Sequence, residues 1–209
     1  GALSRTQRYH RPFAGDLPNV EFGLDLLRQH QANGPLQQPQ MRDVGDDPCC
    51  HPLLTNASCW RFNATDSTEV LQAALNCGSA EVLIPLMPGH APWIVTPLLI
   101  ASNDLTLTLQ PGVVLLAKKG SFTGKGDSLL SIVNVSNVTI RGTGATLQMR
   151  KMDYLAPPYR KGEWRMGINM IGARNIHIVG VTVNQSGGDG LYIGGTSAKA
   201  GGLANSVNV

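Results

Sequence analysis

The chain has 209 residues, of which 42% are hydrophobic, 15% are charged and 5% are aromatic, and its formal net charge is +3. This length fits one domain with a core of its own, and the 24 glycines, 13 prolines and low charged fraction exclude a helical bundle or a coiled coil. The hydrophobic fraction excludes wholesale disorder, the small charge argues against nucleic-acid binding, and no apolar run is long enough to span a membrane.

Residues 1–48 differ in composition from the rest and are predicted to form an N-terminal tail or arm. They contain a Gln/Pro-rich run over residues 34–41 and an acidic cluster over residues 43–47. One short amphipathic helix is predicted over residues 21–31, with Asn19 as its cap. Two interpretations stay open: the tail lies over the main body, or it acts as a propeptide or a partner-binding arm.

Four cysteines crowd into the start of the predicted domain, residues 49–209: Cys49, Cys50, Cys59 and Cys77. This clustering favours a local disulfide clamp in an oxidising compartment, with three possible pairings. A zinc site is the alternative, but the sequence has no Cys-x-x-Cys pair and only His51 nearby.

Five Asn-x-Ser/Thr sequons are candidate N-glycosylation sites: Asn56, Asn63, Asn134, Asn137 and Asn184. Together with the cysteines they predict a secreted, extracellular glycoprotein.

A helix from about residue 66 to residue 77 is predicted to cap the domain, because Asp66 to Glu69 is similar to a capping box and an apolar stripe follows. Coils are predicted from about residue 81. Three stretches, residues 98–109, 131–142 and 169–180, each join an apolar strand, a polar turn and an alternating strand.

A unit this small cannot bury its apolar face alone, so the copies must stack as a parallel β-solenoid. Alternation predicts these inward side chains: Leu105, Leu107, Leu109, Val138, Ile140, Ile176 and Ile178. Asn103, Asn137 and Asn175 are predicted to recur at one bend, where Asn accepts left-handed geometry and can form a ladder.

Residues 66–209 resemble the start of a right-handed parallel β-helix of the pectate-lyase-like superfamily. The resemblance rests on the capping helix, on Val82-Leu-Ile-Pro85, on residues 102–116 and 137–144, and on Gly188-Asp-Gly-Leu-Tyr-Ile-Gly194. It implies an all-β fold but no particular activity, because the superfamily includes lyases, hydrolases, epimerases, tailspikes and proteins without known catalysis. The alternating pattern at residues 205–209 predicts further coils beyond residue 209, or a partner chain that covers that end.

Asp189, between small residues at the head of a strand, is the first catalytic candidate. The resemblance implies that an Asp-Gly at this place often holds the active-site carboxylate of polysaccharide-acting β-helices, whereas the alternative is an ordinary Asp-Gly turn. Tyr192 could flank it, and His177, which alternation points outward, is a candidate general base or a plain surface histidine. A hydrolase would also need a second carboxylate, which no residue obviously supplies.

The segment between the second and third repeats, residues 149–166, is rich in basic and aromatic residues. Aromatic faces stack on sugar rings, and Lys or Arg pairs with uronate or sulfate groups. The predicted substrate-binding residues are Tyr154, Tyr159, Arg160, Lys161, Trp164 and Arg165. The alternative is that this segment packs onto the solenoid while its charges stay in water.

The sequence predicts no metal site and no cofactor, because the acidic residues after residue 48 are few and scattered and no phosphate-binding or dinucleotide motif is complete. Two function hypotheses remain. The first is a secreted β-helix protein that binds an acidic polysaccharide and cleaves or epimerises it as a lyase, hydrolase or epimerase. The second is a non-catalytic structural glycoprotein of an extracellular assembly.

Overall fold

A computed structural model describes residues 47–195 of the chain. The predicted helix over residues 21–31, the tail up to residue 46 and the predicted strand at residues 205–209 lie outside the described residues. Within residues 47–195 the chain is mostly β, with one α-helix.

The regular elements follow one another in chain order. They are β1 (Leu54–Asn56), α1 (Thr68–Leu75), β2 (Glu81–Ile84), β3 (Trp93–Val95), β4 (Leu98–Ile100), β5 (Thr106–Leu109), β6 (Val114–Ala117), β7 (Leu130–Val133), β8 (Ser136–Arg141), β9 (Thr146–Gln148), β10 (Ile168–Ile171), β11 (Arg174–Val179), β12 (Thr182–Asn184) and β13 (Leu191–Gly194).

The strands form three sheets in which every pairing is parallel. Sheet 1 has the order β1-β2-β5-β8-β11, sheet 2 the order β3-β6-β9-β12 and sheet 3 the order β4-β7-β10-β13. From β2 onward the chain visits sheets 1, 2 and 3 in turn, so each set of three strands adds one strand to every sheet. This arrangement is consistent with a parallel β-helix. Each of the three repeats predicted from the sequence contains one strand of sheet 3 and one strand of sheet 1, and none contains a strand of sheet 2.

The core consists of apolar side chains that repeat in register from strand to strand. In sheet 1, Val82 pairs with Leu107, Leu107 with Ile140, and Ile140 with Ile178. The first three of these are buried, whereas Ile178, on the last described strand of the sheet, is half-buried. The other predicted inward residues of sheet 1 are buried as alternation predicts: Leu105, Leu109, Val138 and Ile176.

Helix α1 covers the end of the stack at β4, the edge strand of sheet 3. The amide side chain of Gln72 imitates a neighbouring strand, because its Nε2 donates to the Leu99 carbonyl (2.8 Å) and its Oε1 accepts from the Leu99 N–H (3.0 Å). Leu71 and Leu75 are buried on the same side. The helix therefore satisfies an edge that would otherwise be open to other strands.

A polar ladder runs along the bend at the start of three sheet 1 strands, β5, β8 and β11. Asn175 Nδ2 donates to Asn137 Oδ1, and Asn137 Nδ2 donates to Asp104 Oδ1, each at 2.8 Å. All three residues have positive φ, between 51° and 60°. Asp104 rather than the predicted Asn103 is the first rung, and Asn103 instead accepts from the Ser136 N–H at 2.8 Å.

All four cysteines form disulfides, Cys49 with Cys59 and Cys50 with Cys77, with Cα–Cα distances of 5.5 and 5.6 Å. Cys77 follows α1, so the second disulfide joins the end of the capping helix to the segment before β1. In the described part of the chain, no helix has the length and apolar character needed to cross a bilayer.

Candidate functional site

The long connections of the domain gather where sheet 2 leads into sheet 3. Residues 118–129, 149–167 and 185–190 are the successive connections at this place, and we call them together the loop corner. They lie on consecutive turns because the strands that flank them pair with one another. The basic, aromatic segment and the Asp189 turn therefore meet at one corner of the fold.

Backbone contacts join these two loops directly. The N–H groups of Gly187 and Gly188 both donate to the Arg165 carbonyl, at 2.9 and 3.0 Å. Trp164 directly precedes Arg165, and its ring meets the ring of Tyr192 on β13 edge to face, with centroids 6.5 Å apart. Both rings are half-buried, so part of their aromatic surface is accessible, and the Asp189 side chain is exposed.

The Arg165 side chain is fully buried and ties the first two loops of the corner together. Its guanidinium donates to the carbonyls of Arg160 (2.6 Å) and Phe122 (2.9 Å). Its Cζ also lies 4.9 Å from the ring centroid of Tyr154 and 5.9 Å from that of Tyr159. Arg165 thus connects all three loops: its side chain binds residues 118–129 and its own loop, and its carbonyl binds residues 185–190.

The electrostatics of the corner follow from burial. Burial raises the pKa of Tyr154 to about 12, so its hydroxyl stays protonated and accepts from the Arg150 N–H at 3.3 Å. Burial lowers the pKa of Arg165, which nevertheless stays charged because a guanidinium starts so high. Burial also raises the pKa of Asp127, against the opposing effects of the Gly124 N–H and the two nearby guanidinium groups.

The predicted binding residues divide by exposure. Arg160 and Lys161 are exposed, whereas Tyr159 is half-buried and its hydroxyl accepts from the Gly120 N–H at 2.7 Å. Tyr154 and Arg165 are buried. Their burial favours a role in positioning the loops over direct contact with a substrate.

His177 does not join the loop corner. It lies on β11 in sheet 1, with its side chain exposed and its Nε2 3.0 Å from Asn175 Oδ1. Asp189 lies in the loop corner and Tyr192 on the strand that follows it, whereas His177 lies beside the polar ladder.

Glu163 is a residue that the sequence pattern did not single out. Its backbone carbonyl packs so closely on Gly188 that a side chain could not be added there. Its own side chain is exposed, so the loop corner presents a second carboxylate on the loop next to Asp189. In the sequence, the adjacent glycines Gly187 and Gly188 were the sign of this close contact, because residues without a Cβ allow another backbone to approach.

Among the described residues, no three His, Cys, Asp or Glu side chains come together as a metal site would require.

The close approach at Gly188 gives a prediction with a matched control. A Cβ at Gly188 would lie 2.8 Å from the carbonyl carbon of Glu163, whereas a Cβ at Gly190 would meet Val183 at an ordinary 3.7 Å. We expect Gly188→Ala to lower the free energy of unfolding by about 1–3 kcal/mol and Gly190→Ala to change it by less than about 0.5 kcal/mol. Urea unfolding measures both, and equal losses would contradict the packing described here.

Comparison with solved structures finds a similar fold in the crystal structure of a "putative glycosyl hydrolase" from Parabacteroides merdae ATCC 43184. The two chains are 17% identical and the TM-score is 0.53. The match covers 64% of this chain and 65% of that chain, so this chain spans a little less than two thirds of its length. Neither a protein-family model nor a curated protein matches the sequence. At this identity the likeness concerns the fold.

Proposed function

We propose that this chain is a secreted right-handed parallel β-helix of the pectate-lyase-like kind, and that it binds an acidic polysaccharide at its loop corner. The observation that carries the proposal is the concentration of positive charge there. The three loops contain eight Lys or Arg residues and four Asp or Glu residues, an excess of four, whereas the whole chain has a net charge of +3. Pairing of every cysteine supports an oxidising, extracellular compartment.

The exposed residues of the corner have the chemistry that such a ligand needs. Arg160 and Lys161 can donate to uronate or sulfate oxygens, and the accessible faces of Trp164 and Tyr192 can stack on sugar rings. The similar solved structure is described as a "putative glycosyl hydrolase", which supports a carbohydrate ligand. In this proposal Tyr154, Tyr159 and Arg165 hold the loops in place.

Asp189 has the acid or base role in a cleavage or epimerisation reaction at this corner, and Glu163 supplies the second carboxylate. Both side chains are exposed, and they belong to neighbouring loops that touch at Gly188. Glycoside hydrolysis uses two carboxylates that flank the bond to be broken. We propose this pair as the one to test.

A charge reversal tests the binding site. Lys161 is exposed on this loop, so Lys161→Glu reverses an accessible charge. Arg160 is less suitable, because its guanidinium also acts on Asp127. We expect polygalacturonate binding, measured by titration calorimetry, to weaken by about tenfold or more. The matched control is Arg141→Glu, which reverses an exposed charge on β8 in sheet 1 and is expected to leave binding unchanged.

Equal weakening by the two reversals would contradict a site at the loop corner. The same samples test cleavage through the release of new reducing ends. If wild type releases reducing ends and Asp189→Asn does not, the result supports catalysis by this carboxylate. If wild type and variant release them equally, Asp189 has no role in the reaction.

A structural glycoprotein of an extracellular assembly is the second candidate function. It is favoured by one observation: all five sequon asparagines are exposed on the folded domain. Absence of binding to any acidic polymer, together with self-association in solution, would put this candidate first.

A further inference from the structure

The five sequons differ in what the folded protein does with the asparagine amide. N-glycosylation needs the Nδ2 atom of that amide, so its hydrogen bonds decide whether a glycan is compatible with the fold. Two sequon asparagines hold Oδ1 in a local turn and keep Nδ2 without a partner among the described residues, and two others use Nδ2 to join neighbouring turns. Asn134 belongs to neither group.

Asn56 and Asn63 form the first group, with local turns that engage only Oδ1. Asn56 Oδ1 accepts from the Ser58 N–H (3.0 Å) and hydroxyl (2.8 Å), and Asn63 Oδ1 accepts from the Thr65 N–H (3.0 Å) and hydroxyl (2.8 Å). In both, the hydroxyl residue of the sequon holds the amide oxygen and leaves Nδ2 in solvent. These turns are made within the sequon itself.

Asn137 and Asn184 form the second group, because their Nδ2 atoms donate across turns of the fold. Asn137 Nδ2 donates to Asp104 Oδ1 at 2.8 Å, and Asn184 Nδ2 donates to Gln148 Oε1 at 3.0 Å. Asn137 also accepts from Asn175, so it is the middle rung of the polar ladder.

We propose that Asn56 and Asn63 carry N-linked glycans in the folded, secreted protein and that Asn137 and Asn184 do not. The donor is a lipid-linked oligosaccharyl pyrophosphate, the ordinary co-reactant of N-glycosylation. A bond forms between Nδ2 and the anomeric carbon of the sugar, the bond from that carbon to the pyrophosphate oxygen breaks with its electron pair, and one Nδ2 proton is lost to a base. This inference does not depend on polysaccharide binding.

The physical reason is that a glycan replaces one amide hydrogen with a pyranose ring. On Asn56 and Asn63 the ring extends into water and both sequon turns remain. On Asn137 one Nδ2 hydrogen remains after glycosylation, but the ring is attached to the atom that lies 2.8 Å from Asp104 Oδ1, in a ladder that Asn175 joins through Asn137 Oδ1, so the ring crowds the ladder and disfavours it. Such molecules are selected against at folding, whenever the sugar was added.

Site occupancy tests the proposal. The full chain is secreted from a eukaryotic host, purified as folded protein and treated with peptide N-glycosidase in heavy-oxygen water, so that each formerly occupied Asn becomes a mass-labelled Asp. We expect occupancy to be about tenfold higher at Asn56 and Asn63 than at Asn137 and Asn184. Comparable occupancy of the two groups in folded protein, or empty Asn56 and Asn63 sites, would overturn the inference.

A ladder variant separates the hydrogen bond from the local sequence. Asp104→Gly removes the acceptor but keeps a residue that accepts the φ of 57°, and Asp104→Asn keeps an acceptor oxygen at the same place. Both variants also carry Thr106→Val, because asparagine at position 104 would otherwise form a new sequon with Thr106. Occupancy at Asn137 is expected to rise in Asp104→Gly and to stay low in Asp104→Asn, with Asn56 unchanged in both. No rise in folded Asp104→Gly would contradict the role of the ladder.

Discussion

Replacing Arg165 with methionine is expected to lower the free energy of unfolding by about 3–5 kcal/mol. Methionine fills a similar volume but donates no hydrogen bond, so the carbonyls of Phe122 and Arg160 lose the donor that now lies 2.9 and 2.6 Å away. The buried Phe122 carbonyl left without a partner costs about 1–3 kcal/mol, and the part-buried Arg160 carbonyl costs less. Removing the guanidinium also takes away its contact with the Tyr154 ring.

Arg165→Lys is the control, because it keeps the charge but not the planar fork that reaches two carbonyls. We expect its loss of stability, measured by urea unfolding, to lie between those of wild type and Arg165→Met. A loss below about 1 kcal/mol in Arg165→Met would show that this residue does not hold the loop corner together.

Removing the Cys50–Cys77 disulfide by paired serine substitutions is expected to cost about 3.5 kcal/mol of stability. This disulfide closes a separation of 27 residues and joins the end of α1 to the segment before β1. The matched control is the Cys49–Cys59 disulfide, which closes a separation of 10 residues and is expected to contribute about 2.7 kcal/mol. Urea unfolding of the two Ser/Ser variants measures the difference, and a larger loss from the shorter loop would contradict the expected order.

Much of the fold could be predicted from the sequence because its main signals are local. Alternation identified the inward faces of β5, β8 and β11, and the capping helix was predicted from the Asp66 to Glu69 pattern. Sheet 2 was not part of the predicted repeat, because the connections that precede its strands vary from two to eight residues, so these strands do not recur at a fixed place in the sequence. The polar ladder was predicted one residue off at its first rung, since adjacent Asn103 and Asp104 both suit a bend.

The candidate site was predictable in its residue types but not in its organisation. Basic and aromatic composition marked residues 149–166, yet composition cannot tell a buried Arg165 from an exposed Arg160. That difference arises from the loop of residues 118–129, which supplies a carbonyl acceptor 43 residues away in the chain. The contact between Glu163 and Gly188 likewise depends on how successive turns stack.

The most direct test of an acidic polysaccharide site is an equilibrium titration of the wild-type chain with polygalacturonate and with a neutral dextran of similar length. We predict saturable binding of polygalacturonate, no measurable binding of dextran, and weaker binding of the acidic polymer as salt rises, because exposed Arg and Lys side chains supply the attraction. Equal binding of both polymers, or no binding of polygalacturonate at low salt, would contradict an acidic polysaccharide site at the loop corner.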